Sequence, residues 1–188
     1  MSGHNKWTQI KRQKAVVDGK RSKTFSLLAR NITMEAKKAG GEIKGHRMSF
    51  NLRAVVEKAR AVNMPSENID RAIAKAVSAG AENFEEVIYE SYGPGGTAII
   101  IEGITDSKNR TSQEIKHLLS LNETSLGGTG SVTWAFTKLP TGEWKPNNFL
   151  EISDETTMQA LVNLIDALEA HADIRRVSVN VELPETGE

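Results

Sequence analysis

Over the first eighty residues the apolar positions recur at helical spacing. From about Ser22, Phe25, Leu28, Ala29, Ile32 and Ala36 fall on one stripe, which Gly40-Gly41 brings to a stop. A second helix is predicted from about His46 to Val62, with Met48, Leu52, Val55, Val56, Ala59 and Val62 on its apolar face. Pro65 suits the first turn of a third helix, where Glu67 and Asp70 lie near the positive end. That helix is expected to bury Ile69, Ile73, Ala76 and Val77 and to end at Gly80. Three short helices sharing one core predict a small bundle. Ahead of them, residues 2–23 are polar and basic and read as an arm, partly ordered by docking of Trp7 and Ile10.

After Gly80 the period changes. Glu86–Tyr92 and Thr97–Ile104 are rich in Val, Ile and Tyr and read as strands joined by the turn Gly93-Pro94-Gly95-Gly96. A helix using Ile115, Leu118, Leu119 and Leu121 follows, then a break at Gly127–Gly130 and a strand over Ser131–Thr137. Thr156–His171 is an amphipathic helix that Asp154 is placed to cap, and Ile174–Leu183 closes the chain as an alternating strand. The order β-β-α-β-α-β predicts an α+β domain, its sheet mostly antiparallel with helices on one face. The expected division is 1–80 for arm and bundle and 81–188 for the α+β domain.

Charge sharpens that division. The 188 residues carry 24 Lys+Arg and 24 Asp+Glu, a formal net of zero. Residues 1–80 hold 17 Lys+Arg against 6 Asp+Glu, a net of +11; residues 81–188 hold 7 against 18, a net of −11. Such asymmetry points to a region facing a polyanion joined to an acidic body. The chain has no cysteine, which excludes disulfides, thiolate catalysis and thiolate zinc sites. Aliphatic runs such as Ala98-Ile99-Ile100-Ile101 are too short to span a bilayer, and Met1–Trp7 shows no secretory apolar region. A cytoplasmic location without membrane association is the expectation.

The basic stretch carries the chemistry. Lys6, Lys11, Arg12, Lys14, Lys20, Arg21 and Lys23 are opposed only by Asp18, a density suited to binding phosphates with release of counterions. His4 and Trp7 lie among these cations; Trp7 either stacks on an exposed base or pins the arm to the bundle. Arg30, Arg47 and Arg53 extend the basic surface, or Arg30 and Arg53 pair with Glu35 and Glu57 on adjacent turns. A helix-turn-helix is a weak reading, because the third helix offers only Arg71 and Lys75. Both glycine-rich segments lack the strand–loop–helix order and the lysine of a phosphate loop, so they read as turns. The four histidines are scattered, and there is no nucleophile elbow. No enzymatic activity, metal or cofactor is expected.

Several stretches resemble a known family: Ser2–Lys11 (Ser-Gly-His-Asn-Lys-Trp-Thr-Gln-Ile-Lys, with Asn5 where Ser is usual), Asn63–Ile73, Tyr89–Gly96, Thr105–Thr111 and Leu126–Phe136. Together they resemble the YebC/PmpR family, relatives of the mitochondrial translational activator of cytochrome c oxidase. The resemblance implies a helical N-terminal domain, α+β lobes, and a non-enzymatic regulator of gene expression. It leaves two settings open: a translation factor bound to ribosomal RNA on the ribosome, or a DNA-binding transcriptional regulator at a promoter. It also implies a third lobe between the Trp-x-Phe segment and the last helix, where this chain has only Thr137–Asp154, expected to be a shortened connector. A third reading, from charge alone, is a protein–protein interaction module in which the basic and acidic halves attract each other or a second copy.

Overall fold

The computed structural model describes the backbone of residues 3–39, 48–78 and 82–182, with side chains from residue 19 onward. Met1–Phe84 and Glu85–Glu188 form two compact units, each with a core of its own.

The first unit consists of α1 (Gly3–Lys38), α2 (Phe50–Ala61) and α3 (Ser66–Ala76). The expected arm is not separate from the bundle. Helix α1 starts at Gly3 and runs for 36 residues, taking in the whole basic stretch. Residue type explains this: the stretch has no proline, and Lys, Arg and Gln lose little side-chain freedom in a helix. Gly19 is its one interior glycine. Ile32 and Ala36 of α1 meet Leu52, Val56 and Ala59 of α2 and Ile69 and Ala72 of α3, with Phe25, Leu28 and Met48 packed against them. The α2 N-terminus is capped by Ser49, whose hydroxyl accepts from the Leu52 N–H at 3.2 Å. Two boundaries differ from expectation. Pro65 sits at the cap position before α3 rather than in its first turn, and α3 ends at Ala76, which leaves Val77 exposed instead of buried.

The second unit contains β1 (Glu85–Tyr92), β2 (Ala98–Thr105), α4 (Lys108–Leu121), β3 (Ser125–Leu126), β4 (Phe136–Lys138), β5 (Trp144–Pro146), α5 (Glu155–Ala170) and β6 (Ile174–Val179). The main sheet has the order β3-β1-β2-β6, and every pair in it is antiparallel. All eight residues of β2 are buried. On one face, Ile99 and Ile101 pack under Ile115 and Leu119 of α4 and Leu161 and Leu164 of α5. On the other, Ala98 and Ile100 lie under Val132, Ala135 and Phe136, with Trp144 beside them. Helices therefore cover one face as expected, and the antiparallel β4–β5 hairpin covers the second. Asp154 caps α5, its carboxylate accepting from the Thr157 N–H at 2.7 Å.

Two segments depart from the sequence reading. Ser131–Thr137, expected as a strand, instead forms a turn and a short 3-10 segment over Thr133–Ala135; only Phe136–Lys138 is extended. The third strand of the main sheet is Ser125–Leu126. The interval Thr137–Asp154, expected as a connector, holds most of the β4–β5 hairpin, which starts one residue earlier at Phe136.

Glu90 explains the first departure. It is 6 % exposed on β1, beside Ile100, and faces the hairpin side of the sheet. Its carboxylate accepts N–H groups from Gly130 at 2.7 Å, Val132 at 2.8 Å and Thr133 at 3.0 Å. Those donors turn inward to the carboxylate, which is incompatible with a strand ladder through the same residues. Gly130 adopts φ +85°, a conformation that favours glycine. The turn then displays two aromatic rings: Trp134 Nε1–H and the Tyr92 hydroxyl both donate to the Ser131 carbonyl at 2.8 Å, while Trp134 stays 70 % exposed.

Burial pushes the Glu90 pKa up, but the backbone N–H groups of Val132, Gly130 and Thr133 outweigh it and hold the group below its ordinary value. A depressed folded-state pKa adds stability that is fully present above the unfolded-state value and is lost as pH falls through the folded one. Glu90→Gln is expected to destabilise the protein at neutral pH by about 1–3 kcal/mol. The gap from wild type should close as pH drops through the acid range, which melting temperatures recorded across pH will check.

Candidate nucleic-acid interface

Helix α1 presents its cations in a regular way. Lys23, Arg30 and Lys37 are spaced seven apart and share one side of the helix, away from the stripe Phe25, Leu28, Ile32 and Ala36. Lys20 and Arg21 are exposed one turn upstream, with the Arg21 guanidinium 5.3 Å from the centre of the Phe25 ring. The side chains of His4, Lys6, Trp7, Lys11, Arg12 and Lys14 lie outside the described residues, although their backbone belongs to α1. Arg47 lies outside the described residues altogether. Arg53 is exposed on α2.

A groove of about 560 Å³ runs along α1 and α3 in this unit. Arg30, Arg71 and Lys75 stand around it, and Phe25, Met64 and Phe84 supply apolar wall. The Arg30 guanidinium and the Lys75 ammonium each lie 5.8 Å from the centre of the Phe84 ring, within range of a cation–π attraction. Lys75 also pairs with Glu82 at 2.9 Å. Glu35, considered as a partner for Arg30, forms an ion pair with Lys38 at 2.7 Å. One polar tie sets the spacing of the groove walls: buried Thr33 on α1 donates its hydroxyl to the Ala72 carbonyl on α3 at 2.9 Å.

Of the residues expected to bind nucleic acid, the structure brings Arg30 to this groove; Lys20, Arg21 and Lys23 lie on the same helix, and Arg53 does not line the groove. Arg71 and Lys75, which the sequence alone leaves outside the expected contact set, line the same groove. Their i, i+4 spacing puts them side by side on α3, and that spacing was the available signal. Phe84 gave none, because it reaches the groove only through the chain's path after α3.

A second polar cluster lies in the other unit. Asp173, 2 % exposed, accepts from Arg110 Nη2 and from the Thr111 hydroxyl, both at 2.7 Å. Its backbone N–H donates to His171 Nδ1 at 3.1 Å, so the Nε2–H of that ring faces Glu114 Oε2 at 2.9 Å. Burial lowers the Arg110 pKa, but Asp173 and Asp106 outweigh it and leave the guanidinium more firmly protonated. Ligand atoms of Glu114, His171 and Asp173 come within 4.8 Å of one another. The Asp173 charge is nevertheless met by Arg110, and the cluster straps α4 to the turn before β6 through that ion pair and the His171–Glu114 hydrogen bond.

The pattern of the TACO1/YebC protein N-terminal domain matches residues 5–79, and that of the TACO1/YebC second and third domain matches residues 84–141. The chain belongs to the TACO1/YebC family. It is 46 % identical over 162 residues to a protein of Thermoanaerobacter pseudethanolicus named "Probable transcriptional regulatory protein", covering 86 % of this chain and 64 % of that relative. A Nostoc relative with the same descriptive name is 34 % identical over 247 residues, covering 98 % of this chain and 97 % of its own length. An alignment of 247 positions against 188 residues leaves at least 59 positions of the Nostoc protein without a counterpart here. Among solved structures, a conserved hypothetical protein of Aquifex aeolicus superimposes with a TM-score of 0.77 at 30 % identity, over 90 % of this chain and 93 % of that one. No described helix of this TACO1/YebC protein is long and apolar enough to cross a membrane.

Because Thr33 ties the two groove walls together, Thr33→Val is expected to cost about 1 kcal/mol of stability. Urea denaturation of the full chain, followed by helical circular dichroism, will measure it.

Proposed function

We propose that this TACO1/YebC-family protein is a non-enzymatic, nucleic-acid-binding regulator of gene expression that makes its contact through the basic N-terminal unit. The observation that carries this reading is the excess of 17 Lys+Arg over 6 Asp+Glu in residues 1–80, much of it borne on one 36-residue helix. Closely spaced cations on a rigid scaffold neutralise successive phosphates and gain free energy from released counterions. The regulatory names of the relatives agree with such a role. Lys20, Arg21, Lys23, Arg30 and Arg53 are the described residues assigned to the contact; His4, Lys6, Trp7, Lys11, Arg12, Lys14 and Arg47 complete the set.

Between the two settings, RNA on the ribosome is favoured over a promoter duplex. Helix α3 carries only Arg71 and Lys75 as cations and no amide pair placed as in a recognition helix, whereas the bundle places phenylalanine rings among its cations. In this reading the basic machinery is retained in a chain that lacks at least 59 positions of the Nostoc relative.

The affinity for random-sequence RNA is expected to fall by about 10³-fold or more between 50 and 200 mM salt, the behaviour of a protein making six or more phosphate contacts. Replacing Lys20, Arg21 and Lys23 together by Ala should lower affinity and flatten that slope. Salt-independent binding would sink the proposal. Co-sedimentation with ribosomes, set against competition by a promoter fragment over random DNA, separates the two settings.

A further inference from the structure

The groove along α1 and α3 differs from an ordinary basic surface in having apolar depth. We propose that it takes one unpaired nucleotide of a nucleic-acid strand, with the phosphate held at Arg71, Arg30 and Lys75 and the base laid against Phe25 and Met64. This deepens the function proposed above and rests on it.

Four observations carry the assignment. The first is size: about 560 Å³ is within the range of sites that enclose small ligands, ample for one nucleoside phosphate. The second is charge. Three cations line the groove against one carboxylate, Glu82, which pairs with Lys75 at 2.9 Å and leaves the lining net positive. The third is placement. Arg30 and Lys75 are both held to the Phe84 ring at 5.8 Å, so their charged ends are steadied at the rim before any ligand arrives. The fourth is the wall: half-buried Phe25 and buried Met64 offer an apolar surface, and half-buried Asn68 adds an amide that can both donate to and accept from a base edge.

A base within a duplex is stacked on both faces and paired along its edge, so it cannot enter such a groove. An unpaired base can, and stacking it on an aromatic side chain strengthens binding by about tenfold or more without demanding a particular sequence. The groove therefore gives the basic unit a preference for strands with unpaired nucleotides that its surface cations alone would not supply. An acidic peptide would satisfy the three cations but would leave the apolar wall and the Asn68 amide unused.

The test compares the full-length protein with Ser26→Trp and Arg71→Ala. Ser26 is exposed and lines the groove, so a tryptophan there fills the space without altering charge; Arg71 is exposed on α3. Affinities are measured by fluorescence anisotropy at fixed salt for an unstructured oligonucleotide and for a fully paired duplex carrying the same number of phosphates. Both variants are expected to lose about tenfold or more for the unpaired strand. Ser26→Trp should leave duplex affinity within about twofold, since it removes no phosphate contact. Equal losses on both ligands, or no loss with either variant, would overturn the proposal. It would also fail if an acidic peptide of matched charge displaced the oligonucleotide as well as unlabelled strand does. A free mononucleotide that competes at similar concentration would assign the groove to a soluble nucleotide instead of a strand, and would likewise overturn it. Circular dichroism melts confirm folding; if Ser26→Trp unfolds, the exposed Arg71→Ala variant decides. Wild-type protein that binds neither nucleic acid would instead defeat the broader function proposed above.

Discussion

The second unit is organised by the requirement that β2 be covered on both faces. Eight consecutive residues, Ala98–Thr105, are buried, so a sheet backed by helices on one side only would leave half of that strand in water. Helices α4 and α5 answer on one face, and the turn and hairpin from Val132 to Trp144 answer on the other. Once β2 is enclosed, its polar members must find partners. Thr105 lies 2.8 Å from the Thr111 hydroxyl, and Glu102, at 2 % exposure, is met by Arg175 at 3.2 Å. Gly103 serves the same packing: a side-chain carbon there would come within 2.6 Å of the Asp173 carbonyl, at the point where the β2–β6 register shifts.

Covering the second face takes more than apolar residues, because a turn laid on a sheet brings unpaired backbone N–H groups with it. Glu90 resolves that conflict by offering one buried carboxylate to three of them. The same arrangement leaves Trp134 and Tyr92 tethered by their polar atoms and open on their faces. A single carboxylate thereby links the interior of the sheet to the aromatic surface of the unit.

Much of this was legible in the sequence, for identifiable reasons. The stripe Phe25–Ala36, the β-branched strand before Thr105 and the Asp154 cap all come from interactions within a few residues of each other. The reading went wrong where distant residues decide. Ser131–Thr137 has the composition of a strand, yet Glu90, forty residues earlier, draws its N–H groups inward. The apolar stripe does not mark the start of α1, because a basic helix needs only residues that tolerate the conformation. Around the candidate interface, the charge excess was plain from composition, but the meeting of Arg30, Lys75 and Phe84 depends on how α1 and the segment after α3 converge. Periodicity within one helix cannot report that.

Helix α1 also sets a length. At 1.5 Å per residue, its 36 residues extend for about 54 Å, several times the spacing between neighbouring phosphates on a strand. Its described cations, from Lys20 to Lys38, keep the spacing that the helix dictates. The helix is thus a ruler as well as a charged surface.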